Sequence, residues 1–126
     1  MKSGDTFWAD LGYGDHPHVV LSNPFLVEGE HFVIVVMLST YDADYKNPTC
    51  PVYPSDGHPG ITRKSSVAYN LAQPYKVQEL ENKIRQKMPP FSSEIMYRIL
   101  KGANNNNSDI PMKCWIKLDN QGLIPK

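Results

Sequence analysis

The segment Phe32-Val33-Ile34-Val35-Val36-Met37-Leu38 constrains this chain more than any other, because it is continuously apolar and largely β-branched. β-Branched side chains lose rotamer freedom in a helix and pack well on a pleated surface. A short run of this kind, apolar at every position rather than at alternate ones, predicts a central strand buried on both faces. It is far too short to span a bilayer as a helix. The fold must therefore supply strands on both edges of this segment and apolar cover on both faces.

The rest of the chain offers those strands. Eleven prolines and eight glycines divide most of it into short segments, which suits strands better than long helices. Thr6-Phe7-Trp8-Ala9-Asp10-Leu11 reads as a strand, opened by Gly4-Asp5 and closed by Gly12-Tyr13-Gly14-Asp15. His18-Val19-Val20-Leu21 follows between Pro17 and Asn23-Pro24. After the central run come a loop over residues 41–48 and an edge strand, Cys50-Pro51-Val52-Tyr53, so placed because of its proline. A turn-rich stretch over residues 54–60 leads to a further strand, Ser65-Ser66-Val67-Ala68-Tyr69.

Helical signals come late. Val77, Leu80, Ile84 and Met88 recur at three- and four-residue spacing, predicting a short amphipathic helix that Pro89-Pro90 stops. Ser92 is an N-cap for a second helix, with Phe91 placed to staple onto Met96. Ile95, Met96, Ile99 and Leu100 form its apolar stripe, and Gly102 is expected as its C-cap. Residues 104–109 form an Asn-rich polar linker. Beyond it Met112, Cys114, Ile116 and Leu118 alternate with Lys113, Trp115 and Lys117, the period of a strand. The organisation expected is a domain over residues 1–103, the linker, and a C-terminal strand or tail over residues 110–126. Trp8 is assigned to the core or to a dimer interface.

Composition bounds the function. At 126 residues, 40% hydrophobic and 21% charged, the chain has the make-up of one soluble domain with a sizeable core. Thirteen basic residues balance thirteen acidic ones. That excludes a protein coating nucleic acid by bulk charge, while a local basic site remains open. No apolar h-region follows Met1, so a cytoplasmic location is expected and no membrane partner. Cys50 and Cys114 have no metal-ligand spacing and read as ordinary thiols. No phosphate-binding glycine loop, nucleophile elbow or dinucleotide fingerprint is present.

Taken in order, these pieces resemble a known family. Gly4-Asp5, the strand ending at Asp10-Leu11, and His16-Pro17-His18-Val19-Val20-Leu21-Ser22-Asn23 are similar to the opening of the MazF/PemK toxins. The long apolar strand followed by Ser39-Thr40 resembles that family's third strand. Gly60-Ile61 with Lys64-Ser65-Ser66-Val67, then Gln78, Leu80, Lys83 and Ile84, then Ser93-Glu94-Ile95-Met96, resemble its later segments. The resemblance covers about residues 3–102. It implies a small SH3-like β-barrel of the MazF/PemK/CcdB kind, mainly β with late helices; the C-terminal strand comes in addition. It further implies a homodimer that cleaves single-stranded RNA without metal or cofactor, and a cognate antitoxin protein as partner. The chain departs from the family pattern at His16, where an arginine precedes the proline, and at Tyr69-Asn70-Leu71-Ala72, which lacks the arginine and aspartate of the PemK branch.

Metal-free RNA cleavage needs a base for the 2′-hydroxyl, an acid for the departing 5′-oxygen, and donors for the phosphorane. His16 and His18, two apart on a strand, share a face, and their ordinary pKa near neutrality suits either proton-transfer role. With Ser39 and Thr40 as phosphate donors, these are the candidate catalytic residues. His58, Arg63, Lys64, Ser66 and Tyr69 are candidate RNA contacts, Tyr69 with Tyr41, Tyr45 and Tyr53 as possible base-stacking surfaces. A zinc site built from His16, His18, His31 and His58 with Asp15 or Asp56 has only a weak His-x-His signal behind it, so no metal is expected. The expected function is thus a toxin endoribonuclease. The alternative is a catalytically inactive barrel of the same kind that binds protein or RNA.

Overall fold

A computed structural model describes residues 1–40, 50–104 and 109–126. Tyr41 and Tyr45, and most of the Asn-rich linker, lie outside the described residues. The apolar run forms the middle of β4 (Glu30–Thr40), the longest strand, with Val33 through Leu38 all buried. Every other strand is arranged around it.

On one edge β4 pairs antiparallel with β2 (Asp15–Val20) and, nearer its start, with β3 (Phe25–Val27). On the other edge it pairs with β6 (Ser65–Val67) and β7 (Gln73–Lys76). β1 (Thr6–Asp10) pairs with β2, and β8 (Ile84–Met88) pairs with β1. β5 (Pro51–Val52) pairs with β6. The sheet thus runs β5-β6-β4-β2-β1-β8, with β3 and β7 off that path. Among the described residues its two ends do not pair with each other, so the ladder is open rather than a closed barrel. This is a mainly antiparallel sheet with late helices, as expected.

The two faces carry separate apolar layers. Val19, Leu21, Ile34, Val36 and Leu38 pack with α2 (Ser93–Ala103) and α3 (Met112–Asn120) in the larger one. Phe7, Ala9, Val20, Val33 and Val35 pack with Leu80 of α1 (Val77–Glu81) in the smaller. Helix α2 follows its sequence signals at the start. The Ser92 hydroxyl accepts the Ile95 N–H at 3.3 Å, and Ile95, Met96, Ile99 and Leu100 are buried. Gly102 is not its C-cap: the helix continues to Ala103, with Asn104 at the cap. The glycine is needed instead for close approach, because a Cβ there would stand 2.3 Å from the Tyr69 hydroxyl.

Two further expectations are corrected. The C-terminal segment is the helix α3, not a strand. Its alternating pattern contains two i,i+4 pairs, Cys114/Leu118 and Met112/Ile116, and both fit a helix. Packing selects the first pair: Cys114 and Leu118 are fully buried, while Met112 and Ile116 are 69% and 45% exposed. The helix expected from Val77 to Met88 stops at Glu81, and Ile84 to Met88 is β8. A four-residue spacing also falls on one face of a strand, so Ile84 and Met88 satisfy either period. The open edge of β1 supplies the ladder that decides it. Among the described residues, no helix is long and apolar enough to cross a membrane.

Candidate functional site

The β1–β2 hairpin is organised by Asp10. One of its carboxylate oxygens accepts the N–H groups of Gly12 at 2.9 Å and Gly14 at 3.1 Å. Both glycines have positive φ, 113° and 86°, which side-chain-bearing residues rarely adopt. These amide bonds, that of Gly12 foremost, together with the Arg85 guanidinium, hold the Asp10 carboxyl below the usual carboxylate range, against the opposing effect of desolvation. Gly12-Tyr13-Gly14 is thereby a shaped tip rather than a loose loop. The His16 side chain reaches back to it, Nε2–H donating to the Tyr13 carbonyl at 2.9 Å. With that proton on Nε2, neutral His16 has Nδ1 available as an acceptor.

Register places the candidate residues relative to one another. Residues directly opposite in an antiparallel ladder share a face. Met37 of β4, His18 of β2, Phe7 of β1 and Lys87 of β8 therefore form one row across four strands. The next row contains Pro51, Ser66 and Ser39 on one side and His16 and Ala9 on the other. Continuing the β2–β4 register by two residues points His16 toward Ser39. Thr40, opposite Ser65, lies on the other face and is exposed. Ser39 is half-buried and Ser66 buried.

His18 is packed rather than presented. It is 3% exposed, its ring lies parallel to Phe7 at 5.5 Å between centroids, and Nδ1–H donates to the His16 carbonyl at 2.8 Å. Burial lowers its pKa to about 4, outweighing the opposing effect of that hydrogen bond. At neutral pH it is uncharged.

Arg85 was not among the residues singled out in the sequence. The β1–β8 pairing shifts register between Trp8 and Ala9, so that Trp8 opposes Gln86 and Ala9 opposes Ile84. Arg85 is the extra residue of this bulge, and bulges re-aim side chains. Its guanidinium is bonded to Asp15, the residue before His16. The signal was present as a basic residue in a segment assigned to the wrong element.

Other expected RNA contacts fall elsewhere. His58 is 7% exposed: Nδ1 accepts the Gly60 N–H at 3.0 Å, and Nε2–H is shared between the Pro89 carbonyl at 2.7 Å and the Thr6 hydroxyl at 2.9 Å. Its ring packs on Phe91 at 4.6 Å. Tyr69 is buried beneath α2, donating to the Ile99 carbonyl at 2.6 Å, and burial raises its pKa. Neither ring is available to RNA. Arg63 and Lys64 are exposed in the loop before β6, Lys64 lying 5.6 Å from the Tyr53 ring. Burial raises the Cys50 and Cys114 thiols, and both are free.

No family model matches this chain, and no curated protein matches it. Among solved structures it is similar to an endoribonuclease determined in complex with its cognate antitoxin from a mycobacterial species. The two superpose with a TM-score of 0.54 at 19% sequence identity, covering 82% of this chain and 90% of that one. This chain shares that protein's fold.

Proposed function

We propose that this chain is the toxin of a bacterial toxin–antitoxin pair, a metal-independent endoribonuclease that cleaves single-stranded RNA. It works in the cytoplasm as a homodimer and is neutralised by an antitoxin protein; its open sheet is an incompletely closed form of the SH3-like barrel. The observation that carries the reading is His16 on a face with Ser39 and Ser66, with the bulged Arg85 bonded to the adjoining Asp15, in a fold shared with an endoribonuclease.

His16 Nδ1 takes the proton of the 2′-hydroxyl. The 2′-oxygen then bonds to phosphorus, the bond from phosphorus to the 5′-oxygen breaks, and the 5′-oxygen leaves with a proton drawn from water. The products are a 2′,3′-cyclic phosphate and a 5′-hydroxyl. Ser39 donates to a non-bridging oxygen. Arg85, shared between Asp15 and the phosphate, offsets the charge that builds on the phosphorane, the role left open by the histidine at position 16. Arg63 and Lys64 meet flanking phosphates. His18, neutral at pH 7, orients the strand and is a poor acid.

The test is cleavage of a mixed-sequence single-stranded RNA in EDTA by the parent and by His16→Ala. The parent should yield cyclic phosphate ends, and the variant should be slower by roughly 10²- to 10⁴-fold. Equal rates would overturn the assignment to His16. A folded parent that binds RNA without cutting it would favour the inactive binding module, a reading supported by the burial of Tyr69 where the PemK pattern has acid–base chemistry nearby.

A further inference from the structure

Among the described residues, the most exposed aromatic ring near the candidate site belongs to Tyr13, on a hairpin tip whose backbone is held by the Asp10 carboxylate. The ring is 53% exposed. Its own carbonyl receives the His16 Nε2–H, and the flanking Gly12 and Gly14 amides are bound by Asp10. An apolar ring kept in water on a rigid turn, one hydrogen bond from the candidate base, is preorganised for a ligand with a flat face.

A second aromatic group lies on the face that carries His16. In β7, Tyr75 opposes Val33 and Gln73 opposes Val35, which puts both on the face shared by His16, His18 and Ser39. Tyr75 is partly buried, and the Tyr13 phenol is near enough to add to the effect of burial in raising the Tyr75 phenol. Gln73, exposed, donates one amide N–H to the Tyr75 hydroxyl. Its carbonyl oxygen and second N–H are left for an outside partner. Two tyrosines and a free amide edge are the chemistry that receives an unpaired base: stacking on a ring, hydrogen bonding at its edge.

We infer that Tyr13, Tyr75 and Gln73 form a base-binding subsite, in which a nucleotide next to the scissile phosphate stacks on Tyr13 and meets the Gln73 amide with its edge. The inference rests on the endoribonuclease reading and adds a specificity site to it. Tyr13 supplies affinity that is tolerant of base identity, because every base has a π-face. Gln73 supplies preference among bases.

The experiment uses the full chain and a single-stranded RNA with 2′-O-methyl groups and one 2-aminopurine, which binds without being cut. Tyr13→Ala should weaken binding roughly 10- to 100-fold and abolish quenching of the 2-aminopurine. Tyr13→Phe should retain both, since stacking needs the ring and not the hydroxyl. On cleavable RNA the alanine variant should raise KM far more than it lowers kcat. Parent-like binding and quenching by Tyr13→Ala, with cleavage intact in both, would overturn the subsite alone. A folded parent that neither binds nor cleaves RNA would overturn the endoribonuclease reading and the subsite with it.

Discussion

His18 donates its Nδ1–H to the main-chain carbonyl of His16 at 2.8 Å, so one histidine of the pair holds the backbone of the other. The two imidazoles, separated by a single proline, have been given different environments. His16 is half-buried at the hairpin, with one nitrogen open. His18 is sealed against Phe7 and stays neutral.

That difference predicts a pH dependence of stability. The folded-state pKa of about 4 lies below the ordinary value of 6.5, so between these values the unfolded chain binds the proton more readily. Stability from this group is fully present above pH 6.5 and is lost as pH falls through 4, by roughly 3 kcal/mol in all. Urea denaturation of the parent and of His18→Gln across pH 4–7 isolates it, because other titrating groups cancel in the difference. A difference that stays constant over this range would show that His18 is not buried as described.

Gly102→Ala reverses the usual effect of such a change. In an exposed helix interior, alanine is more favourable than glycine by about 1 kcal/mol. Here the new Cβ would stand 2.3 Å from the Tyr69 hydroxyl and 3.2 Å from the Cys50 Cβ. The expected outcome is destabilisation by about 1–3 kcal/mol. Pairing the change with Tyr69→Phe, which removes the hydroxyl, should recover part of the loss in thermal denaturation.

His58→Ala should affect folding and not RNA cleavage. Removing the imidazole strands the buried Gly60 N–H, at a cost of about 1–3 kcal/mol, and takes away the packing on Phe91. The denaturation midpoint should fall, while kcat/KM of the folded variant stays at the parent value. A selective loss of RNA affinity at unchanged stability would return His58 to the binding site.

Leu118→Ala tests whether the C-terminal helix is an appendage. Leu118 is fully buried in the same layer as Ile34, Val36 and α2, and Gln121 exchanges hydrogen bonds with the backbone N–H and C=O of Asn23. The substitution should cost about 2–5 kcal/mol, as for a core leucine. Since α3 packs on the face opposite His16 and Ser39, cleavage by the folded variant should be unchanged. A cost below about 1 kcal/mol, the range of a surface substitution, would mean that α3 does not complete the core.

The legible parts of the sequence were those where one local signal had one structural solution. The apolar run could only be a central strand, and Ser92 with its i,i+3,i+4 stripe could only start a helix. Met112 to Leu118 and Val77 to Met88 carried patterns that satisfy a helix and a strand equally, because a spacing of four residues falls on one face of both. Their state depended on what each met: a helix-shaped gap over Ile34 and Val36 for Cys114 and Leu118, an open strand edge for Ile84 to Met88.

The candidate site divides in the same way. Sequence by itself determined that His16, His18, Ser39 and Ser66 sit on or beside strands, because local propensity and turn chemistry act over a few residues. Only the tertiary structure decided that His58 and Tyr69 are spent on core hydrogen bonds, that Arg85 stands at a bulge beside Asp15, and that Tyr75 joins the face of His16 and Ser39. Burial, bulges and cross-strand register are properties of partners distant in the chain. No single segment contains the free energy that chooses them.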